Sequence, residues 1–316
     1  MVDFTVAICT YNGENRVLEV LDKLRAQIDT EQISWEIIVV DNNSKDNTAK
    51  VIKEYQSSWS RPYPIKYCFE PEQGLAFSRR CAIKEAKGSL VGFLDDDNLP
   101  AADWVIQAYN FGKSHPQAGA YGGQIHGKFE IKPPENFERI ARYFALIEGE
   151  DTYCYNERYK STPKKMFPPG AGVVIRKQAW LKSVPEHQKI TGVSGESLLT
   201  KGEDLEMLSH IFYDGWELWF NKDMHIAHKI PKSRLDKDYI IRFFRGVGLS
   251  RYQTRIIAYK LWQRPLIIPA YMINDLRKIA AHFIKYRKVL DTDIVAAGEM
   301  QLLFSIFLSP FHHWKK

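Results

Sequence analysis

Three consecutive carboxylates, Asp95-Asp96-Asp97, stand directly behind an apolar run, Leu90 to Leu94. A run of that length and composition is a buried strand, so three acids would fan out where it ends. Carboxylates packed this closely repel one another, and a divalent cation gives them a reason to coexist. Hard oxygen ligands suit Mg²⁺ or Mn²⁺, which can bridge to a phosphate. A plainer alternative is an acidic helix start, because Asn98, Pro100 and Asp103 fit an opening helical turn. Two other apolar runs weigh against it. Val6 to Cys9 leads into Thr10-Tyr11-Asn12, and Ile37 to Val40 leads into Asp41-Asn42-Asn43-Ser44. In an open parallel α/β sheet, ligands bind beyond the carboxyl ends of the strands. Three such ends therefore point to one site.

The elements that must hold these residues alternate through the first hundred positions. Val17, Leu18, Val20, Leu21, Leu24 and Ile28 recur at helical spacing. Glu36 to Val40 is nearly continuous Ile/Val, the pattern of a strand covered on both faces. A helix is expected from Asp46 to about Tyr55, a strand over Ile65 to Phe69 and a helix over Gly74 to Ala86, ahead of the strand at Leu90 to Leu94. This order predicts a doubly wound, mostly parallel α/β sheet. Beyond Pro116 the pattern loosens, with short strands expected at Ala118–Ile125 and Gly172–Ile175. Between them, about Glu148 to Pro169, lies a Tyr-, Lys- and Pro-rich stretch with the look of a substrate-facing loop. A helix is expected to begin at Glu203, and a strand to follow over Trp216–Phe220.

The chain has 316 residues, 45% of them hydrophobic and 26% charged, which fits one large domain with an appendage, or two domains. No signal peptide is recognisable at the N-terminus. Cys9, Cys68, Cys81 and Cys154 form neither a CxxC nor a Cys/His metal pattern, and read as reduced residues of a cytoplasmic protein. The net charge of +6 is unevenly spread. Residues 231–316 hold 16 Lys+Arg against 6 Asp+Glu, a balance of +10, so the remainder balances at −4. A basic tail of this kind suggests an anionic surface.

Five ordered motifs resemble family-2 glycosyltransferases, inverting enzymes of the GT-A fold. They are Ile8-Cys9-Thr10-Tyr11-Asn12; Ile38 to Ser44 with Asp46 and Thr48; Gly74-Leu75-Ala76-Phe77-Ser78-Arg79; Phe93-Leu94-Asp95-Asp96-Asp97; and Gly202-Glu203-Asp204. The third departs from the usual Ala-Arg-Asn ending, having Ser-Arg-Arg. The match covers roughly residues 3–230, and a finer likeness is to cyanobacterial hormogonium-polysaccharide glycosyltransferases. It implies a GT-A (Rossmann-like) domain over 1–230, followed by a basic, aromatic-rich helical extension over 231–316. It also implies a nucleotide-diphosphate sugar donor, with a UDP-sugar favoured, and a divalent metal, Mn²⁺ or Mg²⁺.

Carried over residue by residue, the resemblance assigns donor binding to Thr10, Tyr11, Asn12, Asp41, Asn43, Arg79, Asp95 and Asp96. It assigns the metal to Asp97 and the catalytic acidic pair to Glu203 and Asp204. Asp41 at a strand end can offer a directional acceptor to a nucleobase edge; an Asx-turn or helix cap is its structural alternative. Arg79 can add positive charge near the diphosphate or be an ordinary helix arginine. Glu203 and Asp204 lie about 100° apart on a helix, so one of them should face the acceptor, and the family pattern favours Asp204 as base. As plain structure, the pair would complement a helix N-terminus. His228 matches a position where some relatives place a metal- or diphosphate-contacting histidine, and a satisfied structural histidine is the competing reading. Pro168 to Gly172 could let backbone approach an acceptor sugar or be a simple turn.

The tail interleaves aromatics with cations, and its longest uncharged stretches are Pro265 to Asn274 (10 residues) and Met300 to Trp314 (15 residues). Both are short of the roughly 20 residues a spanning helix needs. Interfacial amphipathic helices and a subdomain packed on the core fit the tail equally well, and no nucleic-acid motif accompanies its charge. The expected protein moves sugar to a glycan or lipid-linked acceptor at the cytoplasmic face of a membrane, with peripheral membrane contact. A sugar-phosphate nucleotidylyltransferase would show a glycine-rich, basic loop after the first strand, and a dehydrogenase would show GxGxxG. A catalytically silent sugar-binding or scaffold protein would be expected to lose the acidic motifs, which are all present.

Overall fold

The chain is described by a computed structural model over residues 2–161, 167–192 and 201–314. It forms two compact units. The first comprises Met1–Lys128, Ala145–Glu186 and His210–Lys229; the second comprises Phe129–Phe144, His187–Ser209 and Ile230–Lys316.

The first unit opens with β1 (Phe4–Thr10), α1 (Val17–Arg25), β2 (Trp35–Asp41), α2 (Thr48–Ser57), β3 (Ile65–Phe69), α3 (Leu75–Glu85) and β4 (Leu90–Asp95). Next come β5 (Asn98–Pro100), α4 (Trp104–Ser114), β6 (Ala118–Phe129), β7 (Tyr153–Cys154), α5 (Tyr155–Ser161), β8 (Val174–Arg176), α6 (Lys177–Ser183) and β9 (Glu217–Ile230); α7 (Glu203–Tyr213) begins in the second unit and ends in the first. The described strands share one sheet in the order β3-β2-β1-β4-β8-β6-β9-β5, with β7 paired to β9. From β3 to β4 the pairing is parallel; β8 runs antiparallel to β4, and β5 antiparallel to β9. This is the mostly parallel, Rossmann-like sheet that the alternating elements predict.

Every residue of β1 and β2 is buried, as expected for strands covered on both faces. Helix α1 buries Val17, Val20, Leu21 and Leu24, one stripe at helical spacing. Glu36 is the polar exception inside β2. Its carboxylate accepts the Thr5 hydroxyl at 2.9 Å and the Lys87 N–H at 2.7 Å, tying the turn before β4 to the sheet. The four cysteines are free thiols.

Two local differences from the sequence expectation bear on the site. The acidic triplet runs from the end of β4 through a turn into a short strand, β5, and α4 starts only at Trp104. The strand expected over Trp216–Phe220 continues to Ile230. The exposed pair Lys222-Asp223 interrupts the apolar pattern without interrupting the backbone pairing, so His225 and His228 lie within β9.

The second unit contains α8 (Lys237–Leu249), α9 (Arg251–Ile256), α10 (Arg264–Tyr286) and α11 (Ile294–Trp314). Helices α8 and α11 approach closely at glycines: a Cβ on Gly248 would meet Ser305 Cβ at 2.4 Å, and one on Gly298 would meet Ile240 Cγ2 at 2.8 Å. Among the described residues one helix segment, Ile294–His312, is long and apolar enough to cross a membrane, and 44% of its apolar window is buried inside the molecule. Counting uncharged residues stops this stretch at Glu299. In the fold Glu299 pairs with Arg139, so the helix runs through that charge. One side of this helix packs on α8, while Phe304, Leu308 and Phe311 stay nearly half exposed.

Gly92, in the middle of β4, sits beneath the edge-to-face pair of Phe4 and Trp104, whose centroids are 6.0 Å apart. A Cβ there would meet the Trp104 ring at 2.7 Å and the Phe4 ring at 2.9 Å. Gly92→Ala should therefore cost about 1–3 kcal/mol through overpacking, read as a lower urea midpoint with an unchanged far-ultraviolet spectrum.

Candidate active site

The parallel ladder brings the polar strand ends to one edge. Thr10 lies opposite Asp41 across β1 and β2, and Cys9 opposite Asp95 across β1 and β4. The loops that follow β1 and β2 are stitched together. Asn12, in the left-handed region at φ 48°, accepts the Lys45 N–H at 2.8 Å and donates its own N–H to Ser44 Oγ at 2.9 Å. Gly13 N–H donates to Thr48 Oγ1 at 2.7 Å. Asn43, also left-handed at φ 61°, donates to the Pro71 carbonyl at 3.0 Å and accepts from Lys45 Nζ at 2.7 Å. Both asparagines thus hold loop shape at the rim. Tyr11 is half-buried beside them, and its carbonyl accepts from Arg16 at 3.2 Å.

Asp41 is buried. Its Oδ1 accepts the Ser44 N–H at 3.0 Å, closing an Asx-type turn, and its Oδ2 accepts the Tyr67 hydroxyl at 2.9 Å. Each oxygen keeps a second lone pair, so the turn does not exhaust the carboxylate. Burial, together with the bond to Asp41, pushes the Tyr67 phenol above its ordinary range.

The triplet separates into three environments. Asp96 receives a two-pronged contact from Arg16, with Nε to Oδ1 and Nη2 to Oδ2 both at 2.9 Å, and the Thr10 hydroxyl adds a third bond at 2.6 Å. Burial still pushes its carboxyl upward against these contacts. Asp97 accepts Asn98 Nδ2 at 2.9 Å on Oδ1, and its Oδ2 lies 3.6 Å from His228 Nε2. The β5–β9 ladder makes that meeting possible by setting His228 opposite Asn98. Asp95 is pushed up to about 6, first by burial, with the Arg79 charge opposing and Asp97 adding repulsion. Arg79 is itself buried; its Nη2 donates to the Gly170 carbonyl at 3.4 Å and its guanidinium lies 5.6 Å from the Phe93 ring centroid.

The acidic pair belongs to the second unit. Glu203 starts α7 and is buried; its Oε2 accepts the Gly202 N–H at 3.2 Å. Asp204 is half-buried, with Oδ1 accepting the Leu205 N–H at 2.8 Å. Of the expected substrate-facing loop, residues 162–166 lie outside the described residues.

Sequence reasoning passed over three residues that shape these surroundings. Arg16 neutralises Asp96, Tyr67 buttresses Asp41, and Glu206 accepts the Lys189 and Ile190 N–H groups at 2.9 and 2.7 Å. Arg16 and Tyr67 meet their acids only across the sheet edge, so local spacing carries no sign of them. Glu206 stands one helical turn after Glu203, a spacing that could have flagged it.

Residues 5–182 match the family model for glycosyl transferase family 2, more than half of the chain. The chain belongs to that family. Glycosyltransferase AglE of Haloferax volcanii is 26% identical over 289 residues, covering 87% of this chain and 85% of AglE. Two solved structures share the fold. Mannosyltransferase PcManGT from Pyrobaculum calidifontis, in complex with GDP-Man and Mn²⁺, superposes with a TM-score of 0.59 at 17% identity, covering 98% of this chain and 87% of that one. Residues 1–349 of TarS from S. aureus, with UDP, give 0.52 at 18% identity, covering 100% and 92%. The chain spans less than two fifths of the length of several other curated relatives that it matches.

The Arg16–Asp96 contact yields a direct test. Arg16→Met leaves a nearly buried carboxylate without its charged donor, which should lower stability by about 1–3 kcal/mol in urea unfolding. Adding Asp96→Asn should restore part of that loss, because the uncompensated charge is then gone.

Proposed function

We propose that the protein is an inverting, divalent-metal-dependent glycosyltransferase that moves a sugar from a nucleotide-diphosphate donor to a hydroxyl of a polysaccharide or lipid-linked acceptor, at the cytoplasmic face of a membrane. One observation carries this reading: Asp97 and His228, 131 residues apart in sequence, meet at the carboxyl edge beside Thr10, Asp41 and Asp95. The family supplies the reaction class. PcManGT holding GDP-Man with Mn²⁺, and TarS holding UDP, support a nucleotide-sugar donor and a metal.

The donor set fits a hard or borderline dication. One carboxylate and one imidazole, both nearly buried, face each other at 3.6 Å beside a further carboxylate, Asp95, which burial disfavours as an anion. Among the described residues, no three His, Cys, Asp or Glu side chains form a complete metal cage. Mg²⁺ usually keeps several waters and is bound through one or two carboxylates plus substrate phosphates. Asp97 and His228 would hold the ion, and the ion would offset negative charge on the leaving diphosphate.

The chain's own residues do the remainder. Asp41 and the loop behind it offer acceptors to a nucleobase, and Asp95 lies where a ribose or diphosphate would pass. Buried Arg79 contributes fixed positive charge at the same edge, while Arg16 and Thr10 hold Asp96 and with it the turn from β4 into β5. Asp204, the more exposed of the acidic pair, takes the proton from the acceptor hydroxyl, and Glu203 supports the start of α7. A UDP-sugar is the favoured donor.

Two experiments test this reading. Calorimetry with a nucleoside diphosphate should show binding that requires Mn²⁺ in the wild type and falls sharply in Asp97→Ala; equal affinities with and without metal in both proteins would remove the ion. In a transfer or donor-hydrolysis assay screened across nucleotide-sugars, Asp204→Asn should lower kcat by about 10²–10⁴, the usual contribution of a positioned base, and leave donor affinity nearly unchanged. Glu203→Gln should keep most of the turnover. An exchange of these two behaviours would make Glu203 the base.

A further inference from the structure

Helix α10 buries a charge and leaves a line of large apolar side chains exposed, unlike an ordinary surface helix. Over its 23 residues, Asp275 is the buried one. Asp275 accepts both Nη atoms of Arg255, at 2.6 and 2.8 Å. Tyr271 and His282 share this inward face at helical spacing. The Tyr271 hydroxyl is 2.9 Å from that of Tyr259, and His282 Nε2 is 3.0 Å from the Ala296 carbonyl. The inner side of α10 thus combines these polar contacts with Ile267, Ile268 and Met272, which line a cavity with Ile256 and Pro310.

The opposite face is apolar and open. Trp262, just before the helix, is 71% exposed; Leu266 is 74%, Ile273 69% and Ile284 71% exposed. At 3.6 residues per turn Leu266, Ile273 and Ile284 fall on one line, and Leu276 and Phe283 flank it, both about half exposed. A soluble helix turns its apolar stripe inward and its charges outward. An exposed apolar line is stable when the surroundings outside are themselves apolar.

The charges on this segment choose the surroundings. From Lys260 to Lys288 there are seven cations (Lys260, Arg264, Arg277, Lys278, Lys285, Arg287 and Lys288) and a single acid, the buried Asp275. A second copy of the chain would bring the same seven charges against them. An anionic lipid surface offers apolar chains for the stripe and phosphates for long basic side chains, which can reach from an apolar layer to its charged boundary.

We infer that the outward face of α10 is the surface by which this protein lies on an anionic membrane, with Trp262, Leu266, Ile273 and Ile284 entering the interface and the surrounding lysines and arginines meeting lipid phosphates. The inference rests on the reading of the enzyme as working at a membrane and assigns that contact to one helix. The contact is assigned to α10, while one side of the other long helix, α11, packs on α8.

The test uses the full chain with vesicles of phosphatidylcholine alone and of phosphatidylcholine mixed with phosphatidylglycerol, at low and high salt, read by co-sedimentation. The wild type should bind the anionic vesicles, weakening with salt. The triple variant Leu266→Gln/Ile273→Gln/Ile284→Gln should bind them about tenfold more weakly or worse, since it replaces three inserted apolar side chains. Its thermal melting and donor hydrolysis should match the wild type, because all three side chains point outward. Arg277→Gln and Lys285→Gln should each weaken binding about fivefold, the share of one cation near an anionic leaflet. If the triple variant binds like the wild type, the assignment to α10 falls and membrane binding stands. If the wild type binds no vesicle, both fall, with donor hydrolysis still reporting on the transfer chemistry. If the wild type self-associates without lipid and the triple variant does not, the face is a protein interface and the inference is overturned.

Discussion

The electrostatic crowding at the end of β4 is the constraint that organises the first unit. Three adjacent carboxylates leave a buried strand together, where repulsion and desolvation both oppose their charge. The fold answers each one differently. Asp96 is held by Arg16 and Thr10, Asp97 is set against Asn98 and His228, and Asp95 is left with the Arg79 charge as its main counterweight. The elements around them exist in the places this division needs. The turn after β1 presents Arg16, the helix after β3 presents Arg79, and the long strand β9 presents His228.

This division gathers three carboxylates at the edge where the proposed dication and diphosphate would bind. The parallel ladder matters here because it aligns Thr10, Asp41 and Asp95 at matching register positions. A one-residue slip of β4 against β1 would turn Asp95 to the other face of the sheet. The rim loops add rigidity in a different way: Asn12 and Asn43 adopt left-handed backbone and bond across to the neighbouring loop, so the edge is preformed.

The second unit follows an opposite physical logic. It is built around close helix packing at Gly248 and Gly298, and around ion pairs turned inward, Arg255 with Asp275 and Arg139 with Glu299. These inward ion pairs sit beside an apolar interior that includes Ile240, Phe244, Leu249, Val295 and Met300. Its acidic residues on α7 are organised by their own backbone, with Glu206 fastening residues 189 and 190 and Glu203 closing on Gly202.

The sequence by itself determined the parallel half of the sheet and most of the site's raw material. Unbroken Ile/Val runs require two covered faces, and strand ends carrying Thr10, Asp41 and Asp95 require a shared carboxyl edge, because both follow from local periodicity. The spacing also marked Glu203 as a helix start, and the tail's +10 balance marked it as a basic surface. Only the tertiary structure decided which partner each acid received. Arg16 reaches Asp96 across 80 residues, Tyr67 reaches Asp41 across 26, and His228 reaches Asp97 through the extension of β9 past Lys222-Asp223. Likewise, the chain shows that α10 is amphipathic but not which face is turned in; that was settled by Arg255 burying Asp275. Periodicity reports which residues share a face, whereas pairing between distant charges depends on the path of the backbone, which no local pattern encodes.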